Sequence, residues 1–162
     1  MAKTYEPIAT TTVSGSSTGT ITFSSITGTY TDLRLVAQAQ VSDGYCLLRV
    51  NGDSGTNYSN TRLAGDGTSA TSSRSSSDAQ WFMNVSGANL NSNFTVDFMN
   101  YSNATTYKTK LSRVSIPASS VVQDVSLWRN TSAITSITVI VPAANNWVAG
   151  STFTLYGIKA AV

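Results

Sequence analysis

Apolar residues recur at every second position along much of this chain, and that period limits what the chain can fold into. From Leu33 to Val41 the odd positions are all apolar and the even positions are mostly polar. Successive side chains of a strand point to opposite faces, so this pattern predicts a strand with one buried face. The same pattern marks Phe94–Phe98 and Phe153–Leu155, and Ile137–Val141 alternates before it becomes apolar throughout. We find no convincing helical period and expect an all-β protein.

Turn residues separate several further candidate strands. Asn51-Gly52 and Gly65-Asp66-Gly67 are examples of turn sequences that favour positive φ or side-chain to backbone hydrogen bonds. The remaining strands are expected at Ile8–Val13, Thr20–Ser24, Tyr45–Asn51, Tyr58–Leu63, Gln80–Val85, Tyr107–Ser115 and Val121–Trp128. About ten short strands at this spacing predict an antiparallel β-sandwich of the jelly-roll kind. In the closing strand, Gly157 predicts a close backbone approach.

The length of 162 residues fits one domain, and we expect residues 1–162 to form a single sandwich. Two segments differ from the rest. Residues 67–78 are mainly serine around Arg74, with few apolar atoms, which predicts an exposed loop whose order depends on a neighbour. The first 15 residues or so are polar and predict an extended arm that reaches a neighbouring subunit.

The chain contains no histidine and a single cysteine, Cys46. The commonest general base and the commonest metal ligand are therefore missing, as is a partner for a disulfide. Cys46 lies among apolar residues, which predicts a small buried side chain rather than a reactive thiol. We expect no catalytic residues, no cofactor and no bound metal.

Carboxylates are the remaining groups that bear on catalysis or metal binding. Asp97 and Asp124 lie inside predicted strands and are the acids most relevant to glycoside hydrolysis. Asp53 and Asp66 lie in oxygen-rich turns that are relevant to calcium. Turn formation explains these two better, because aspartate in a turn hydrogen-bonds to its own backbone.

Charged residues make up 11% of the chain, and the ten basic and eight acidic residues are scattered. Because nucleic-acid binding needs clustered lysine and arginine, we expect no nucleic-acid partner. No stretch approaches the ~20 apolar residues of a membrane span, and the start lacks a signal-peptide core, so we expect no membrane association. One cysteine fits synthesis in a reducing cytoplasm.

Aromatic and basic side chains are the remaining means of contact with a partner. The candidate contacts with a protein partner or a glycan are Trp147, Tyr58, Arg62 and Arg74. Trp147 follows two asparagines in an apparent loop, so surface contact and burial both stay open for it. Phe82 and Trp128 are instead predicted to fill the core, since sandwiches need large inward side chains.

Three blocks of sequence resemble small structural proteins of tailed bacteriophages. They are FSSITGTYTDL from Phe23, NGDSGTNYSNTRLAGDG from Asn51, and the ending that runs from LWRNTSAITSIT at Leu127 to GSTFTLYGI at Gly150. Their order and spacing span most of the chain. The resemblance implies a location in the virion, after synthesis in the cytoplasm of the host bacterium, and it offers no catalytic residues.

The resemblance and the residues together predict a non-enzymatic capsid decoration or cement protein. It would bind the major capsid protein, stabilise the assembled shell and form a homotrimer, by analogy with proteins that occupy threefold sites. The alternative is a tail fibre or receptor-binding module that recognises host glycans through Trp147 and the tyrosines. A third reading is a polysaccharide-degrading enzyme that depends on Asp97.

Overall fold

The computed structural model describes residues 4–15, 18–83, 85, 90–142 and 145–160, and these contain twelve strands and no helix. No helix long and apolar enough to cross a membrane is present in this part of the chain. The strands are β1 (Tyr5–Thr12), β2 (Thr20–Phe23), β3 (Asp32–Ala39), β4 (Cys46–Val50), β5 (Tyr58–Gly65), β6 (Ala70–Asp78), β7 (Trp81–Met83), β8 (Ser92–Met99), β9 (Lys108–Ile116), β10 (Ser120–Trp128), β11 (Ile137–Ile140) and β12 (Thr152–Ile158).

The strands form two antiparallel sheets, which confirms the predicted β-sandwich. The large sheet has the order β1-β12-β3-β8-β9-β10-β5-β6, and the small sheet has the order β2-β11-β4-β7. If β2 to β8 and β11 are numbered one to eight, the small sheet runs one-eight-three-six and the large sheet contains two-seven-four-five. That is the jelly-roll order, with the β9-β10 hairpin inserted into the large sheet and β1 and β12 added at its side.

The core lies between the two sheets and is filled by alternate residues of their strands. On β3, Leu33 and Leu35 are fully buried, and on β11 Ile137 and Val139 are fully buried. Trp81 of β7 joins the sheets, since its ring packs edge-on against Tyr58 of the large sheet at 5.1 Å between centroids. Each such side chain contributes about 1.5–3 kcal/mol when it leaves water, so the alternation drives the two sheets together.

The Ser-rich segment is a strand, and the prediction of an exposed loop over residues 67–78 is wrong. Ala70–Asp78 forms β6, which pairs with β5 from Gly65 to Tyr58 with one register shift at the Tyr58 end. Almost all its side chains are exposed, so no apolar alternation marks it in the sequence. Backbone hydrogen bonds to β5 hold β6 at the sheet edge.

The prediction of an extended N-terminal arm over residues 1–15 is also wrong for its described part. Tyr5–Thr12 forms β1 and pairs with β12 of the same chain, with a register shift between Pro7 and Ala9. The segment is polar because it lies at the edge of the sheet and five of its eight residues are exposed.

The turn after β4 has the conformation that its sequence predicts. Asn51 and Gly52 have φ values of 51° and 65°, as a tight turn with two left-handed residues requires. The Asn51 side chain also donates to the carbonyl of Ala133 at 2.8 Å and accepts from the backbone N–H of Thr135 at 2.8 Å. This side chain therefore ties the turn to the loop that precedes β11.

Gly157 of β12 allows a close approach between the strand backbone and the ring of Tyr30, as expected from the sequence. A Cβ atom at this position would lie 2.3 Å from a ring carbon of Tyr30. We expect Gly157→Ala to lower the free energy of unfolding by about 1–3 kcal/mol, because the ring and the strand must move apart. Thermal unfolding measures this, and Gly15→Ala is the control because a Cβ there meets nothing within 4 Å. Equal melting temperatures for the two variants would contradict the prediction.

Candidate functional site

The large sheet presents one broad surface to solvent, which we call the outer face. It consists of the side chains that point away from the small sheet. Strand register places them in rows across the sheet. The central row contains Thr154, Val36, Thr95, Arg113, Gln123 and Leu63, one from each of β12, β3, β8, β9, β10 and β5. Because neighbouring strands are about 4.8 Å apart, this row spans roughly 24 Å.

A groove of about 930 Å³ runs along this part of the outer face. Hydroxyl and amide side chains line one half, where Gln38 and Asn93 lie opposite each other on β3 and β8. Aliphatic side chains line the other half, where Val121 and Leu63 lie on β10 and β5. Arg113 is the one charged residue among the described residues of the lining. The groove has the size of a binding site and an almost uncharged surface.

The aliphatic half is unusually bare for a sheet surface. Leu63 and Val121 are each 63% exposed, and Val125 is 50% exposed. Leu111 lies directly opposite Val125 on β9, so the exposed aliphatic groups are contiguous across three strands. The exposed side chains of Leu63, Val121, Val125 and Leu111 therefore form one aliphatic patch on the outer face.

Arg34 and Asp97 neutralise each other in the neighbouring row of the outer face. Arg34 donates to both carboxylate oxygens of Asp97, at 2.5 and 3.0 Å, and to the Tyr5 hydroxyl at 2.7 Å. The hydrogen bonds to Asp97 raise the pKa of the Arg34 guanidinium, against the opposing effect of burial. Asp97, the acid that the sequence singles out for catalysis, is therefore held in a bidentate ion pair.

The two candidate catalytic acids lie on opposite faces of the large sheet. Asp97 faces outward on β8, whereas Asp124 is fully buried on the inner face of β10. Two carboxylates separated by a sheet cannot flank one glycosidic bond, so they form no glycosidase pair.

Of the two alternatives that the sequence leaves open for Trp147, the structure shows burial and not surface contact. Its side chain is fully buried and packs edge-on against Phe153 at 4.8 Å between ring centroids. Its backbone pairs in antiparallel fashion with Thr18 on one side and with Val41 on the other. These pairings hold the loop against the rest of the fold. Long-range pairing that the sequence does not show therefore buries this tryptophan.

Tyr58 is also buried, and the prediction of a partner contact is wrong for it. Its hydroxyl donates to the backbone carbonyl of Asp53 at 3.0 Å, and its ring stacks on Trp128 at 6.5 Å. Burial raises the pKa of Tyr58 to about 12. Trp128 fills the core as predicted, and its Nε1 donates to Asp53 at 2.6 Å.

Arg62 and Arg74, the two basic candidates, lie on neighbouring strands but on opposite faces. Arg74 is opposite Thr61 on the outer face and is exposed. Arg62 is opposite Asp124 on the inner face, donates to its carboxylate at 2.9 Å, and covers the Phe82 ring at 4.7 Å. Phe82, predicted as core, is only half-buried under this guanidinium and Tyr45. Arg62 therefore has a structural role, whereas Arg74 at the sheet edge is accessible to a partner.

A buried polar network lies on the inner face behind the outer-face rows, and sequence reasoning missed its centre. Lys110 of β9 is fully buried, donates to Ser112 at 3.0 Å and lies 5.6 Å from the centre of the Trp81 ring. Ser112 in turn donates to Asp124 at 3.3 Å, and Asn60 donates to the same carboxylate at 3.2 Å. Burial lowers the pKa of Lys110 to about 8, although Asp124 acts in the opposite direction.

The turn aspartates act as the turn chemistry predicts. Asp66 accepts hydrogen bonds from the backbone of Ser69 and Thr68, which lower the pKa of its carboxyl. Asp53 accepts from Gly55 at 2.8 Å and from Asn57 at 2.9 Å. Throughout the described ranges, no three acidic or cysteine side chains group together as a metal site would require.

Cys46 is fully buried, as predicted. Its burial raises the pKa of the thiol, with Lys110 opposing. The thiol therefore stays protonated and serves as a small packing group in the core.

The lowered pKa of Lys110 predicts how stability varies with pH. Between pH about 8 and 10.5 the unfolded chain binds a proton that folded Lys110 has lost, so the free energy of unfolding rises with pH. Cys46 and Tyr58 oppose this rise above about pH 9, because their pKa values are raised. We expect the free energy of unfolding of the wild type, minus that of Lys110→Met, to rise by about 1.4 kcal/mol per pH unit in this window. Urea unfolding at several pH values measures it, and a constant difference would contradict the prediction.

The burial of Trp147 predicts a large loss of stability when the side chain is removed. Trp147→Ala leaves a cavity beside Phe153, and we expect about 3–5 kcal/mol of destabilisation. Thermal unfolding with Tyr107→Ala as the control tests this, because Tyr107 is 54% exposed. A Trp147→Ala variant as stable as the control would restore the surface-contact interpretation.

No protein-family model matches the chain, and a search of curated proteins finds no match either. Among solved structures, the chain is similar to a mutant of the alginate lyase Aly36B in complex with an alginate tetrasaccharide, at 5% sequence identity. The similarity covers 82% of this chain and 71% of that one, with a TM-score of 0.29. A likeness at this level carries no argument about function.

Proposed function

We propose that this protein is a non-enzymatic structural component of a tailed-phage virion that binds the assembled capsid shell and stabilises it. The observation that carries the proposal is the outer face, where Leu63, Val121 and Val125 are bare on regular strands. A rigid, broad, almost uncharged surface suits attachment to another protein surface. The resemblance of the sequence to phage structural proteins supplies the partner, the major capsid protein.

The positions of the other candidate residues favour attachment over catalysis. Asp97 is paired with Arg34, and Asp124 is buried with Arg62, so neither carboxylate is free to transfer a proton to a substrate. The bare aliphatic surface lies on strands rather than in loops, and the described residues that line its groove include no carboxylate. These features support a surface whose role is contact.

Glycan recognition by a tail fibre loses its main support in the sequence. Trp147 and Tyr58, which were to stack on sugar rings, are fully buried. The described residues that line the groove include a single aromatic, Phe94, and its side chain is buried. Stacking platforms of the kind that sugar rings use are therefore missing from this groove.

We propose a homotrimer as the bound form, because capsids offer threefold sites. Native mass spectrometry of the purified protein, and of the protein released from virions, measures this state. A monomer in both preparations would contradict the trimer and leave shell binding to be decided separately.

Shell binding through the outer face predicts the effect of making it polar. The double variant Leu63→Thr/Val121→Thr loses exposed aliphatic groups at two positions, and we expect its affinity for capsids to fall about 10-fold or more. Co-sedimentation with capsids that lack the protein measures the affinity. Threonine keeps the β-propensity of the strands, so folding should be preserved and circular dichroism checks it.

Tyr45→Thr is the matched control, because it removes exposed apolar surface near Phe82 of the small sheet. Equal weakening by the control and the double variant would reject the outer face as the contact. An electron-microscopy map of the virion with the protein at the tail rather than on the shell would reject the decoration role itself.

A further inference from the structure

Arg113 is a charged residue at the centre of the outer face. It lies on β9, opposite Thr95 of β8 and Gln123 of β10. The bare aliphatic side chains of Val121 and Val125 lie diagonally opposite it on β10. They pair with Ser115 and Leu111, which are two residues from Arg113 on the same face. The residues directly opposite Arg113 are therefore uncharged, and the charged residue diagonal to it on β8, Asp97, is paired with Arg34.

Among the described residues of the outer face, no acid forms an ion pair with Arg113. Among the described residues, the three ion pairs involve other side chains, and Asp97 in the next row is already bound to Arg34. The part of the groove lining that the structure describes contains no carboxylate. While the face is open to water, solvent satisfies the guanidinium.

A partner that covers the outer face would take Arg113 out of water. A partner that packs on Val121 and Val125 removes water from Arg113, and a cation buried without a counter-charge is costly. A partner surface must then bring an anion to this point. A second copy of the same face would bring another Arg113, and its Asp97 is already paired, so the occupant is not the same face of another copy.

We propose that Arg113 binds a carboxylate carried by an aliphatic segment of the capsid shell, so that the aliphatic half of the groove and Arg113 are covered together. This proposal rests on the shell-binding function. The planar guanidinium can hold both oxygens of a carboxylate, which adds a directional contact to an otherwise nonspecific apolar surface. Thr95 and Gln123 flank the pair and can donate to the same oxygens.

The test compares charge removal at Arg113 with charge removal elsewhere on the same face. Arg113→Gln should weaken binding to capsids about 30-fold or more, because the shell carboxylate loses its partner in a covered site. Arg74→Gln removes the same charge from the exposed edge strand and should change affinity less than about 3-fold. Arg113→Lys should fall between them, since lysine keeps the charge but not the planar fork.

Co-sedimentation with capsids that lack the protein, repeated at two salt concentrations, separates the possible outcomes. Equal effects of Arg113→Gln and Arg74→Gln would show long-range attraction only and overturn the carboxylate contact, while shell binding itself would stand. Binding of polygalacturonate by the wild type, lost in Arg113→Gln, would overturn it in favour of an acidic glycan. Failure of the wild type to bind capsids would instead remove the proposed function, and this inference with it.

Discussion

The register between β10 and its two neighbours is the constraint on which both faces of the large sheet depend. Antiparallel pairing with β9 and β5 sends Asp124 inward and Val125 outward. A slip of one residue would expose Asp124 and bury its neighbour, since side chains alternate between faces. The buried ion pair with Arg62 resists such a slip, because the slipped register would leave a charge unpaired. The inner network therefore fixes which side chains the outer face presents.

β9 shows why local sequence does not decide this arrangement. By hydrophobicity alone, Leu111 should face the core and Lys110 should face water, yet the structure has them the other way round. Val114 and Ile116 share the inward parity with Lys110, so the far end of the strand decides the orientation. Asp124 and Ser112 make the inward lysine tolerable at a cost in desolvation. Hydrogen-bonded partners on three strands are needed, and only the folded sheet supplies them.

Sequence alternation and turn residues predict eleven of the twelve described strands. Ten of these contain buried side chains, and in β1 the partly buried Ile8 packs against the core. β6 escapes prediction since its order comes from backbone pairing with β5 and no side-chain pattern records that. The burial of Trp147 is not predicted for a related reason. Its loop is buried by pairing with Thr18 and Val41, which are remote in the sequence. The significance of Arg113 depends on which acids are already paired. That also is a property of the assembled sheet and not of the local sequence.

The outer face combines two contributions that do different work in recognition. Aliphatic side chains such as Leu63 and Val121 give affinity that depends on the area covered and hardly at all on the identity of the partner. Arg113 adds affinity only for a partner that provides an anion at that point, and it penalises every partner that does not. This division suits the proposed shell-binding role, because affinity and selectivity then reside in different residues. Such a surface needs no titrating side chain, which is consistent with a chain that has no histidine.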